Sequence, residues 1–164
     1  MTKNIINARV TFRKSPIHVL ERFSLGDSEN AYRSLKEHTD LSECVILQTC
    51  NRVEIFGSGE KFDKDKIKKT WASLSGLEEN TFHENLEWSQ DSEVYEHLLK
   101  LTSGLDSMVV GEEQIMTQIK DSIQQIFYAS RETYTDSKKI LKKYSFGTAH
   151  HRVIHLIERH KGIT

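Results

Sequence analysis

A chain of 164 residues is long enough for one domain with a sizeable core, or for a compact domain with a helical extension. Apolar residues make up 37% and charged residues 29%, and a formal charge of −1 excludes recruitment of nucleic acid by a global basic field. No run approaches the roughly 20 apolar residues of a membrane span, and MTKNIINARVTF has neither the apolar core nor the cleavage site of a signal peptide, so the expected compartment is the cytoplasm.

Residues 4–12, NIINARVTF, are β-branched and partly alternating, which predicts a strand. Ser15-Pro16 predicts a helix start, with Ser as N-cap and Pro at the first helical position, and a short helix running to about Phe23. Asp27 or Ser28 can cap a second helix with Ala31 and Leu35 on its inner face. Residues 43–48, ECVILQ, are the most apolar run of the first half and predict a buried strand. Residues 52–57, RVEIFG, alternate and predict the next strand, with Thr49-Cys50-Asn51 as a tight connection. Asp63 can cap a helix carrying Ile67, Trp71 and Leu74 on one stripe, and Gly76 is placed to end it. Residues 81–88 are expected to add one more strand.

From Asp91 onward the periodicity is helical. The stripes are Val94, Leu98 and Leu101; then Ile115, Ile119, Ile123 and Ile126; then Ile140, Leu141 and Tyr144; then Val153, Leu156 and Ile157. The pattern is that of an α+β fold: a small, mainly antiparallel sheet with flanking helices, followed by a helical subdomain. The expected division is 1–90 for the sheet, 91–147 for the helical part, and 148–164 for a helix leading into a following domain.

Cys50 is the first chemical candidate. A nucleophilic Cys needs a lowered pKa and exposure. Cys50 stands where a buried strand gives way to a loop, two residues before Arg52 and between polar Thr49 and Asn51. The competing reading is a small core residue, which is how Cys44 inside the apolar run is read. Arg52 is either a bidentate clamp for a carboxylate or a strand-end cation paired with Glu54 across the surface. His97, on the stripe-bearing helix, is either a general acid–base or a structural histidine. Residues 103–118, SGLDSMVVGEEQIMTQ, interrupt helical sequence with two glycines. They form either a loop whose polar side chains line a cavity or a plain helix–helix connection. His151 and His155 have a spacing that zinc can use, but no acidic or thiol partner accompanies them, so His150, His151, His155 and His160 are read as a solvated face and no metal is expected. No Gly-rich phosphate-binding motif occurs in the chain.

Two stretches together carry a resemblance. ILQTCNRVEIF at 46–56 and HLLKLTSGLDSMVVGEEQIMTQIKDS at 97–122 resemble the signatures of the glutamyl-tRNA reductase family, in the same order and spacing. The likeness covers roughly residues 4–130, and the Lys- and His-rich segment 136–160 departs from the pattern. The resemblance implies reduction of the activated α-carboxyl of glutamate, carried on its tRNA, to glutamate-1-semialdehyde, the opening step of tetrapyrrole (haem) synthesis. It implies Cys50 as the nucleophile that forms a thioester, and His97 as a histidine important for activity. It places Thr49, Asn51 and Arg52 around the nucleophile, with Arg52 on the glutamate carboxylate, and makes Ser107, Glu112, Glu113, Gln114 and Gln118 further substrate contacts. The implied cofactor is NADPH, bound by a domain beyond this chain, and a homodimer would form through a further C-terminal domain. Channelling of product to an aminotransferase is part of the same implication. Two other classes stay open: a non-catalytic tRNA-binding module using the basic segment 136–143, and a Cys-dependent esterase.

Overall fold

The computed structural model of the protein describes residues 4–102 and 105–106. The elements in chain order are strand β1 (Asn4–Thr11), helices α1 (Ile17–Leu20) and α2 (Ser28–His38), strands β2 (Glu43–Thr49) and β3 (Arg52–Gly59), helix α3 (Lys64–Ser75), strand β4 (Glu87–Gln90) and helix α4 (Ser92–Thr102). Short 3-10 turns follow α1 at Glu21–Phe23 and precede β4 at Glu79–Phe82. The strands form one antiparallel sheet in the order β2-β3-β1-β4. The α+β class and the antiparallel sheet with flanking helices are therefore as expected. The helical subdomain beyond Asp106 and the segment 148–164 lie outside the described residues.

The sheet separates two layers. One face carries Ile6, Ala8 and Val10 of β1 with Val53 and Ile55 of β3, packed against Leu20, Phe23, Leu35, Ile67 and Trp71. Trp71 fills the centre of this layer, its ring edge-on to Phe82 at 5.6 Å and its Nε1 donating to the Phe23 carbonyl at 2.8 Å. The opposite face carries Asn7, Arg9 and Thr11 against Phe56, Glu54 and Arg52, as the β1–β3 register dictates. Helix α4 covers that face, with Leu101 on Leu47 and with Leu98 and Phe56 packed around them. Both faces of β1 and β3 are thus buried, so polar side chains in the middle of the molecule need partners there.

Local rules account for most boundaries. The Asp27 side chain accepts from Asn30 N–H and the Asp63 side chain from Asp65 and Lys66 N–H, so both predicted caps are real. Gly76 ends α3 in the left-handed conformation at φ 67°, where a side chain would be strained. Ser15 is a correction: Pro16 is the N-cap of α1, and Ser15 Oγ instead donates to Asn85 Oδ1 at 2.6 Å across the fold. The helix expected up to Phe23 changes to 3-10 geometry after Leu20. The strand expected over 81–88 is a 3-10 turn and a loop, with β4 beginning at Glu87. The start of helix α4 is tied to the sheet: Asp91 N–H donates to the Ile5 carbonyl while the Asp91 carbonyl receives Val94 N–H.

Trp71→Phe keeps an aromatic ring against Phe82 but strands the Phe23 carbonyl. The expected cost is about 1–3 kcal/mol, read as a lower urea midpoint with an unchanged slope. An unchanged midpoint would show that the hydrogen bond contributes nothing.

Candidate active site

The hairpin joining β2 and β3 sets the geometry. Thr49 pairs with Arg52, so Cys50 and Asn51 alone form the turn. Neither has a positive φ. The turn is held by Thr49 Oγ1 accepting from Asn51 N–H at 3.1 Å, and by the Asn51 carbonyl accepting from Phe12 N–H at 2.9 Å. This braces the turn against β1 and leaves the Cys50 thiol exposed at the end of the sheet. Cys44 lies inside β2, packed on the core, where burial pushes its thiol up to about 12.

Two residues on, Arg52 turns onto the face under α4 and is 1% exposed. Its Nη1 donates to Glu54 Oε1 at 2.7 Å and to Asp106 Oδ2 at 3.0 Å, and its Nη2 donates to the Asp106 carbonyl. The Arg52–Glu54 pair foreseen across the surface therefore exists, but in the interior. Glu54 is 0% exposed. Its second oxygen, Oε2, meets His97 Nε2 at 2.7 Å and accepts from Asn7 Nδ2 at 3.1 Å. His97, 9% exposed, lies near-parallel to the Phe56 ring with centroids 6.1 Å apart. Its Nδ1 faces Asp106 Oδ2 at 3.8 Å, too far for a hydrogen bond. Exposed Arg13 closes the far side through Nε to Asp106 Oδ1 at 2.8 Å. Among the described residues, Arg52 Nε and Thr11 Oγ1 are buried without a hydrogen-bond partner.

Burial opposes ionisation of Glu54, yet the His97 hydrogen bond and the His97 and Arg52 charges outweigh it and hold the carboxyl below its ordinary value. Asp106 is also held low: burial works against its charge, and the Arg52 and Arg13 hydrogen bonds overcome it. The structure thus brings Arg52 and His97 into one network and sets Cys50, Thr49 and Asn51 beside it in the turn. Ser107, Glu112, Glu113, Gln114 and Gln118 lie outside the described residues. Glu54, Asn7 and Asp106 join the site without having been candidates. The one sequence signal for Glu54 is its place two residues after Arg52 on an alternating strand, and Asn7 and Asp106 have none, because their partners are distant in sequence.

No group of three His, Cys, Asp or Glu side chains suited to a metal ion occurs among the described residues. A dinucleotide pyrophosphate does not fit the starts of α2 and α3 either. The N-termini of α2 and α3 are already occupied by the carboxylates of Asp27 and Asp63, which would repel phosphate.

The chain matches the family described as "Glutamyl-tRNAGlu reductase, N-terminal domain" over residues 8–154. A glutamyl-tRNA reductase of Cenarchaeum symbiosum is 55% identical over 123 residues, covering 75% of this chain and 30% of that protein. The corresponding enzyme of Brevibacillus brevis is 32% identical over 123 residues, covering 73% of this chain and 27% of that protein. The solved structure of glutamyl-tRNA reductase from Methanopyrus kandleri superposes with a TM-score of 0.62 at 28% identity, over 77% of this chain and 29% of that one. The chain therefore spans less than a third of the length of these relatives.

Cys50 and Cys44 should differ sharply toward iodoacetamide, since the thiolate is the nucleophile and burial keeps the Cys44 thiol protonated. Peptide mapping should find the label on Cys50 first; equal or faster labelling of Cys44 would refute the assignment. Arg52→Lys keeps the charge but loses the fork that joins Glu54 to Asp106. It should cost about 1–3 kcal/mol of stability through the stranded acceptors. Glu54 is held low in the fold, so its stabilisation is present above its unfolded value and is lost as pH falls through the folded one. Acid unfolding of Arg52→Lys should therefore begin at higher pH than in the parent, and an unmoved acid transition would contradict the coupling.

Proposed function

The chain belongs to the family of glutamyl-tRNA reductase N-terminal domains, and on that footing we propose that it is the acyl-transfer part of an enzyme that reduces glutamyl-tRNA to glutamate-1-semialdehyde. The reading rests above all on the exposed Cys50 thiol, held at the tip of a braced two-residue turn beside a buried ionic network. In it the Cys50 sulfur attacks the carbonyl of the aminoacyl ester. The sulfur–carbon bond forms, the bond to the ribose oxygen breaks, the free tRNA leaves with a proton on that oxygen, and glutamate remains as a thioester. A thioester accepts hydride more readily than an ester, so the covalent step divides a hard reduction in two. NADPH would supply the hydride from outside the described residues, and this chain's own residues carry only the acyl transfer.

Arg52 selects glutamate by its side-chain carboxylate, since the α-carboxyl is the one esterified. Its fork already holds Glu54 and Asp106 while its Nε has no partner among the described residues, so an incoming carboxylate takes Nε or the place of Asp106 while Glu54 keeps its edge of the guanidinium. Thr49 and Asn51 shape the turn around the acyl group. His97 moves protons, and Ser107, Glu112, Glu113, Gln114 and Gln118 are proposed as further substrate contacts on sequence grounds alone. No helix among the described residues is long and apolar enough to cross a membrane, and the cytoplasm is the proposed compartment. The dimer and the hand-over of product to an aminotransferase belong to the remainder of such an enzyme.

Glutamyl-tRNA mixed with this chain should leave a glutamyl adduct on the Cys50 peptide in mass spectrometry, followed by slow release of free glutamate. Without a docked hydride donor the thioester stays electrophilic and open to water. Cys50→Ala should abolish both signals. Undiminished glutamate release in Cys50→Ala would overturn the covalent route.

A further inference from the structure

The groups around the Glu54 carboxylate form a chain of fixed polarity. Arg9 Nη1 donates to Asn7 Oδ1 at 2.8 Å and to Ser89 Oγ at 2.7 Å, and a guanidinium can only donate. The Asn7 amide is thereby fixed with its oxygen toward Arg9 and its NH2 toward Glu54 Oε2. Arg52 Nη1, also only a donor, occupies Oε1. Glu54 is thus an acceptor on both oxygens, and it lies 2.7 Å from one ring nitrogen of His97, Nε2. Two acceptors cannot share that contact without a hydrogen, so the hydrogen sits on Nε2. The Phe56 ring, on the face of β3 that carries Glu54, lies near-parallel to the imidazole.

We propose that Glu54 is a positioning residue: whenever the His97 ring is neutral, Glu54 fixes it as the Nε2–H tautomer, leaving Nδ1 as the basic nitrogen on the side facing Asp106. The tautomer follows from the geometry alone. Its catalytic consequence rests on the acyl transfer to Cys50 proposed above. There Nδ1 is the nitrogen that takes the thiol proton as the sulfur–carbon bond forms, and returns it to the departing ribose oxygen. Among the described residues, the titratable and charged groups around the ring are Glu54 and Arg52 of β3 and Asp106 beyond α4.

Glu54→Gln tests this with little change of shape. The amide has one acceptor and one donor end to face three donors: Arg52 Nη1, Asn7 Nδ2 and His97 Nε2–H. Arg52 cannot become an acceptor, so it takes the oxygen, and the amide NH2 then confronts His97. The ring can satisfy that contact only by moving its hydrogen to Nδ1. With 15N-histidine-labelled protein at a pH where the ring is neutral, and with His97→Gln to assign the signal, the parent should show Nε2 protonated and Nδ1 bare. In Glu54→Gln the two nitrogens should exchange roles, and the rate of Cys50 acylation should fall roughly 10²–10⁴-fold, the scale of lost general acid–base catalysis. A parent protein with Nδ1 protonated overturns the proposal, and this holds whether or not the variant folds. So does a folded Glu54→Gln that keeps Nε2–H. A parent with Nε2–H but no Cys50 adduct would instead overturn the acyl-transfer reading and leave the tautomer assignment standing.

Discussion

A carboxylate with no exposed surface lies between the sheet and the helix that covers it, and everything around it is arranged to keep it charged. Removing Glu54 from water is costly, and the cost is met by one guanidinium, one ring nitrogen and one amide, drawn from β3, α4 and β1. Breaking a buried pair of this kind costs about 3–5 kcal/mol, a large share of the roughly 5–15 kcal/mol that holds a domain together. Yet apolar side chains of similar volume could fill the same space at little loss. Stability alone is therefore a poor reason for these charges. What they provide is placement: Arg52, His97 and Asp106 are each held by at least one contact that leads back to Glu54 or Arg52.

Most of the framework was legible because it is local. The apolar run 43–48, the Asp27 and Asp63 caps and the Gly76 stop are decided within a few residues of chain, and all are found as expected. What escaped was decided by distant contacts. Ser15 reads as a cap by its neighbours, but Asn85 is seventy positions away and takes its hydroxyl. The alternation in RVEIFG told which residues share a face, but not that the polar face lies under α4 instead of in water. Glu54 therefore read as a surface partner of Arg52 when it is the buried centre of the site. His97 sat on the right stripe, between Val94 and Leu101, but only the third dimension supplies its carboxylate.

The chemistry and the core occupy opposite sides of the same strands. On β3, Val53 and Ile55 point into the layer built around Trp71, while Arg52 and Glu54 point into the layer under α4. The site thus inherits its rigidity from a core that it does not share, and α4 acts as cover for both Leu47 and the ionic network.

The two-residue turn at Cys50 makes this arrangement intolerant of changes in length. Side chains alternate with a period of two along a strand, so one residue added or lost at Cys50-Asn51 and absorbed by a one-residue slip of the β2–β3 pairing would invert everything that follows on β3. Arg52 and Glu54 would be driven into the Trp71 layer, and Val53 and Ile55 would face Asn7 and His97. Loops ordinarily absorb insertions and deletions because their ends are free to adjust. Here the turn is also the ruler that sets which face of β3 is ionic, so evolution can exchange its residues but cannot easily change their number.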